Sequence, residues 1–292
     1  LPVFPCIYVN LSHSQKGRFI LIQDIFPHRF QNQYDADAVP AASDIVLCYQ
    51  ESKVLIKAPH SLPTVSDFPQ MSLRYLFRID GTCYFTPEQT VEESASLIYQ
   101  NVRELRGASE IPKFHRYAIM TGKHLADWYR DSRFCGRCGR ALRHAAGQRA
   151  MICDSCKNHF YPRIMPAVIV GVIQREKDQI LLTKYKTGIS YYALVAGFTE
   201  IGETLEETVA REVLEETGLH VKNIRYYKSQ PWGIANDILA GFFCEAEGDA
   251  TIRMDASELK LAQWVNRKDV PLQPDDASLT NEMMQIFRDG KI

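Results

Sequence analysis

Residues 197–219 read GFTEIGETLEETVAREVLEETGL, and the way this stretch must coil decides both fold and chemistry. No glycine or proline interrupts 204–217, and Leu205, Val209, Val213 and Leu214 recur at helical spacing, which predicts an amphipathic helix. Glu212, Glu215 and Glu216 stand at i, i+3 and i+4 of that helix, so three carboxylates share one face. Such a face repels itself unless a cation neutralises it, and carboxylate oxygens suit Mg²⁺ or Mn²⁺. Those ions also take phosphate oxygens as ligands, so the face suits hydrolysis of a diphosphate. The bland alternative is a solvated acidic helix. Glu203 and Arg211 have a second reading of their own, as a pair that shapes the loop rather than as metal contacts.

The chain has 292 residues, enough for two domains or more and a sizeable core. Lys plus Arg number 34 against 35 for Asp plus Glu, which argues against bulk attraction to nucleic acid or to a membrane. The longest apolar run of note, 166–173, has the length of a buried strand and not of a membrane span. A basic-then-apolar leader pattern is missing, so a cytoplasmic protein is expected.

The eight cysteines divide into two groups. Cys6, Cys48, Cys83 and Cys244 are scattered and read as reduced core thiols. Cys135, Cys138, Cys153 and Cys156 form C-x2-C-x14-C-x2-C, two knuckles that suit a tetrahedral Zn²⁺ site of ribbon type. Two disulfides are the alternative, and a reducing compartment favours zinc. One Zn²⁺ per chain would use all four thiolates, leaving no open position, so the ion is structural. His144 and His159 then read as ordinary surface residues.

Along the chain, short runs of β-branched and aromatic residues at 18–26, 44–58 and 72–85 predict strands, and 88–106 predicts a helix. A second helical stretch over 110–130 is expected to break near Gly122. Strands are expected at 167–174, 179–184, 221–228 and 239–245, and a last helix from Leu279. This gives three regions: a β-rich N-terminal domain with linking helices (1–130), a zinc ribbon (131–162) and a catalytic domain (163–292). The fold class is α/β (α+β), with a mixed sheet between helices.

Residues 197–219 fill every specified position of the Nudix box, G-x5-E-x7-R-E-U-x-E-E-x-G-U with U apolar. Seven G, E and R positions match, and chance would supply this on the order of once in a million. A four-cysteine ribbon ahead of the box, and Ser229-Gln-Pro-Trp232 after it, narrow the resemblance to the NADH pyrophosphatase (NAD⁺ diphosphatase) family. The resemblance covers the ribbon and all that follows, from about residue 128. It implies a Nudix α/β/α sandwich, cleavage of NAD(H) to NMN(H) and AMP, removal of NAD caps from RNA in some members, and a homodimer. It implies Glu212, Glu215 and Glu216 as catalytic metal-binding carboxylates, Glu216 foremost. Glu258 falls where the family supplies a carboxylate from outside the box; a helix-start glutamate is its plain reading. Phe198, and Phe160 with Tyr161, fall where family aromatics sandwich a flat ring of the substrate. Gln230 and Trp232 would serve base recognition or the dimer seam. The family pattern continues P-F-P-x-S after Trp232, whereas this chain has Gly233-Ile-Ala-Asn-Asp237, so its loop is less pre-organised.

Two other readings stand beside this one. One is a Nudix hydrolase for another nucleoside diphosphate derivative, such as ADP-ribose or a diadenosine polyphosphate. The other is a nucleic-acid-binding zinc ribbon, because Arg133, Arg137, Arg140, Arg143, His144 and Arg149 crowd the cysteines.

Overall fold

The computed structural model describes residues 21–187, 191–274 and 277–292; Cys6 and the first three residues of the expected strand at 18–26 lie outside them. Two small sheets come first, made of β1 (Phe30–Gln31), β2 (Ile45–Val46), β3 (Tyr49–Gln50), β4 (Lys53–Lys57), β5 (Leu73–Ile79), β6 (Thr82–Pro87) and β7 (Leu97–Asn101). Their orders are β1-β5-β6-β2 and β3-β4-β7. The expected strand at 44–58 is therefore three short ones. Residues 21–26 form turns rather than a strand, with Leu21 and Ile22 buried.

The expected helix over 88–106 is corrected to a strand, β7, followed by one helical turn, α1 (Val102–Leu105). β7 pairs antiparallel with all of β4, from Lys53↔Asn101 to Lys57↔Leu97. Val54, Leu55 and Ile56 are buried, and this strand needs a hydrogen-bonding neighbour on that edge. Sheet pairing overrides the helix-forming residues at 92–95. The break expected near Gly122 is also absent: α2 (Lys113–Asp131) runs through it. A Cβ at 122 would lie 2.5 Å from Leu47 Cδ1 and 2.6 Å from the Tyr49 hydroxyl. Gly122 is thus where the helix lies down on the sheet, and Tyr49 donates to the carbonyl of Ile119 at 2.6 Å.

The ribbon carries three two-residue strands, β8 (Arg143–His144), β9 (Met151–Ile152) and β10 (His159–Phe160), in the order β10-β9-β8. The C-terminal half holds β11 (Met165–Gln174), β12 (Gln179–Tyr185), β13 (Val195–Phe198), α3 (Leu205–Thr217), β14 (His220–Trp232), β15 (Asp237–Glu247), β16 (Leu259–Asn266) and α4 (Leu279–Arg288). The sheet order is β14-β15-β11-β12-β16, with β13 on β11. β11 and β15 are parallel and the other pairs antiparallel, so the sheet is mixed.

β11 shows why the sheet is covered on both sides. Successive strand residues face opposite ways. Val168, Val170 and Val172 pack with Val209 and Val213 of α3, while Ala167, Ile169 and Ile173 pack with Leu279, Met283 and Phe287 of α4. The result is the α/β/α sandwich expected from the sequence. No described helix is long and apolar enough to cross a membrane.

The β14–β15 turn joins the two halves. Trp232 packs against the cores of both, Ile234 against the N-terminal one, and the Arg106 guanidinium lies 5.3 Å from the Trp232 ring centre. Between them Gly233 touches α2 so closely that a Cβ would fall 2.1 Å from the carbonyl oxygen of Met120. The proline that the family pattern places here has no room, which accounts for the departure. Because the obstacle is backbone, Gly233→Ala must push the turn off α2, and we expect a loss of about 1–3 kcal/mol. Equilibrium denaturation with urea checks this; an unchanged midpoint would show that the turn is not wedged.

Candidate active site

The acidic site is assembled around α3. Thr204 caps the helix, its hydroxyl accepting from the Glu207 N–H at 3.2 Å while Glu207 accepts from the Thr204 N–H at 2.7 Å. This reciprocal box satisfies two of the helix's unpaired donors. Gly218 closes the helix with φ +72°, the left-handed conformation that a Cβ disfavours.

Arg211 gathers the preceding loop onto this helix. Its Nε donates to Glu203 at 2.6 Å, and Nη2 donates to the second Glu203 oxygen and to the Phe198 carbonyl, both at 2.9 Å. Nη1 donates to Glu212 at 2.8 Å and to Glu215 at 3.0 Å. Glu203 also accepts from the Glu200 N–H and the Thr208 hydroxyl, both at 3.0 Å. The bonds from Arg211 hold the Glu203 carboxyl down at about 2. Of the two readings open for this pair, the loop-shaping one is what the structure displays.

Gly197 has a steric reason. A Cβ there would stand 1.9 Å from the Glu212 carboxyl carbon, so the side chain of Glu212 lies directly on the backbone of β13. Glu212 is mostly buried and its pKa is raised, chiefly by that burial. Glu215 is the exposed member of the three.

Glu216 is 3 % exposed and its carboxyl is pushed up to about 8. Burial is the main cause, and Glu212, Glu258 and Asp255 add like-charge repulsion. The Tyr185 hydroxyl donates to Glu216 at 3.1 Å and itself accepts from the Ala196 N–H at 3.0 Å. Glu258 sits in a turn just before β16, not at a helix start. One anchor ties its segment to α3, where Asp255 N–H donates to the Glu216 carbonyl at 2.8 Å, and another ties it to the end of β12, where Lys186 N–H donates to the Glu258 carbonyl at 3.0 Å.

Of the residues singled out in the sequence, the structure thus sets Glu212, Glu215 and Glu216 on the C-terminal half of α3, with Glu258 near enough to act on Glu212 and Glu216 by charge. Phe198, half exposed at the end of β13, has its carbonyl held by the same arginine. Phe160 and Tyr161 lie at the last ribbon strand, where the ring neighbour of Tyr161 is His159. Gln230 and Trp232 turn elsewhere. Gln230 is fully buried, accepting from the Leu279 N–H at 2.8 Å and donating to the Ala277 carbonyl at 2.9 Å, so it fastens the start of α4. The sequence reading missed Tyr185 and Asp255. Tyr185 is 31 positions from Glu216 and ends a strand that periodicity closes one residue early, so no local signal marks it.

The ribbon's two knuckles share one backbone pattern. Cys135 N–H donates to Arg140 and Gly139 N–H to Cys135; Cys153 N–H donates to Asn158 and Lys157 N–H to Cys153. Gly139 and Lys157 both have positive φ, 72° and 57°. The four Sγ atoms lie within 4.8 Å of one another, with pairs at 3.5, 3.5 and 3.9 Å. Sulfurs about 2.3 Å from a common tetrahedral centre are separated by such distances, so the group fits a closed structural zinc site. Cys48, Cys83 and Cys244 are buried and free.

The close fit of Gly197 to Glu212 yields a test. Gly197→Ala should displace the carboxylate and lower turnover at the acidic site about a hundredfold, since shifts near 1 Å carry that cost. Circular dichroism would verify the fold, and wild-type turnover in a folded variant would separate Glu212 from the chemistry.

The NUDIX domain family matches residues 164–285, and the NADH pyrophosphatase zinc ribbon domain matches 130–161. Among curated proteins, the chain is 39% identical over 167 residues to an "NAD-capped RNA hydrolase NudC" of Klebsiella pneumoniae, covering 56% of this chain and 63% of that protein. A protein of the same name from an Enterobacter species is 40% identical over 168 residues, with the same coverage. The matched stretch thus spans less than two thirds of these relatives. Among solved structures, a NUDIX hydrolase from Nitrosomonas europaea has a TM-score of 0.47 at 24% identity, covering 55% of this chain and 92% of that one. Residues 164–285 thus match the NUDIX domain, and residues 130–161 match the zinc ribbon domain of NADH pyrophosphatases.

Proposed function

We propose that this chain hydrolyses the diphosphate of NAD(H) to NMN(H) and AMP, and removes NAD from the 5′ ends of RNA, as the name of its relatives says of them. The observation that carries the chemistry is the convergence of Glu212, Glu216 and Glu258, with Glu216 buried and pushed up to about 8 by burial and by its acidic neighbours. A buried carboxyl with acidic neighbours, whose charged form is disfavoured without a counter-ion, fits a hard divalent cation. Glu212, Glu215, Glu216 and Glu258 would hold Mg²⁺ or Mn²⁺ there. The bound cation would offset the charge of the diphosphate and acidify a water.

The chain's own residues supply the order around it. Arg211 draws Glu212 and Glu215 to one side and is itself held by Glu203. Tyr185 orients the carboxyl of Glu216 through its hydroxyl. Phe198 offers an exposed ring for stacking against nicotinamide or adenine.

A homodimer belongs to the same proposal. Tyr161, Ile164, Met165, Phe198 and Ile238 are exposed apolar side chains. Ladder pairing sets Ile238 opposite Pro166 and Phe198 opposite Ala167, so several of them share the sheet end beside the acidic site. Exposed apolar side chains gathered at one end of the sheet suit contact with a second copy. Light scattering should give twice the chain mass, and Ile164→Asp should reduce it toward one.

Glu216→Gln tests the chemistry. Turnover should fall about a hundredfold or more with the fold intact, because the change removes one charge at nearly constant volume. The sign of the pH effect follows from linkage. In the folded metal-free protein Glu216 keeps its proton up to about 8, whereas the ordinary carboxyl value is 4.5. Its stability contribution is therefore complete below 4.5 and is lost as pH rises to about 8. Relative to wild type, the glutamine variant should gain a few kcal/mol, in order of magnitude, across that window. A difference that does not change with pH would place Glu216 in an ordinary solvated setting. Turnover of NADH, NAD⁺, ADP-ribose and NAD-capped RNA under one metal condition tests the substrate; ADP-ribose as the preferred substrate would overturn the NAD reading.

A further inference from the structure

A second concavity lies far along the chain from α3. An open cavity of about 610 Å³ separates the N-terminal sheets from the ribbon, and every residue lining it falls between Cys48 and Met151. That volume is within the usual range for small-molecule sites, about 300–1,000 Å³. The charges on its walls are three arginines, Arg74, Arg130 and Arg133, against one carboxylate, Glu88. Arg74 pairs with Glu88, and Arg130 with Asp127 at 3.0 Å and Asp131 at 3.2 Å, so Arg133 carries the unbalanced positive charge of the wall.

The walls also carry flat rings. Arg74 is fixed by an ion pair with Glu88, and its guanidinium lies 5.1 Å from the Tyr129 ring centre. Tyr129 in turn meets His144 at 5.4 Å. At the mouth stands Phe134, 62% exposed, with the Arg133 guanidinium 6.0 Å from its ring centre. Among the described residues Arg133 has no acidic partner. The mouth thus pairs an exposed ring with an uncommitted cation, beside a fixed arginine–tyrosine stack.

Cations and aromatic faces in alternation are what a phosphate joined to a base requires, since every base has a face to stack and every phosphate a charge to meet. We propose that this cavity is a binding site for a nucleoside phosphate unit, separate from the acidic site on α3. Arg137 and Arg140, exposed on the adjoining knuckle, extend the positive ground beyond the mouth, so the unit can be free or carried within a single strand. The ribbon arginines of the sequence divide accordingly. Arg149 is spent on Asn32 and the Leu76 carbonyl, and Arg143 on Asp154, while Arg133 faces the cavity.

The test is direct binding by the full zinc-loaded chain, by calorimetry, of AMP and of a short single-stranded oligoadenylate without a cap. Either probe should bind, and the two arms tell a free nucleotide from a strand. Arg133→Glu and Phe134→Ala should each weaken binding about tenfold. The salt slope of oligoadenylate binding should fall by about one for Arg133→Glu. Arg130→Gln, on α2 and away from the cysteines, repeats the test without touching the ribbon; zinc content and melting temperature control for folding. The proposal is overturned if neither probe binds, if folded Arg133, Phe134 and Arg130 variants all bind as wild type, or if inorganic phosphate competes as well as AMP.

Discussion

The five hydrogen bonds of Arg211 are the constraint on which the acidic site depends. One guanidinium holds a loop carboxylate, a strand carbonyl and two helix carboxylates, and so sets the distance between β13, the loop and α3. Without that cation Glu203, Glu212 and Glu215 would face one another across a small gap with nothing between them. A guanidinium suits this task better than an ammonium because its donors fan out in one plane and its charge persists at every relevant pH. The glycine at 197 completes the arrangement by letting the Glu212 side chain lie against bare backbone.

What the sequence disclosed and what it hid divide along physical lines. The helix carrying the carboxylates was legible because spacing on one helix fixes relative position, whatever the rest of the chain does. The cysteine knuckles were legible for the same reason, each being a local backbone pattern that brings its own two thiols together. Partners brought from afar were not legible. Tyr185 reaches Glu216 only because β12 and β13 run beside α3, and Asp255 does so only because its amide closes the last turn of the helix.

The N-terminal misreadings have a different origin. Residues 92–95 favour a helix locally, but residues 97–101 are required as the neighbour of β4, so a distant demand decided the outcome. Gly122 shows the converse: a residue that reads as a breaker in isolation serves as a contact point once a sheet lies against it. Gln230 and Trp232, expected in base recognition or at the dimer seam, also hold the start of α4 and pack on both cores.

The turn at Trp232, Gly233 and Ile234 has a mechanical consequence. It belongs by chain to the C-terminal sheet and by packing to the N-terminal core, and its backbone lies in close contact with α2. Sliding one half past the other would have to lift the indole out of both cores at once and pull the turn's backbone away from the helix. The boundary therefore behaves as a rivet and not as a hinge. Beyond the rivet, β14 pairs with β15 and β15 with β11, so an unbroken ladder runs from the N-terminal core to the strand whose alternate faces seat α3 and α4.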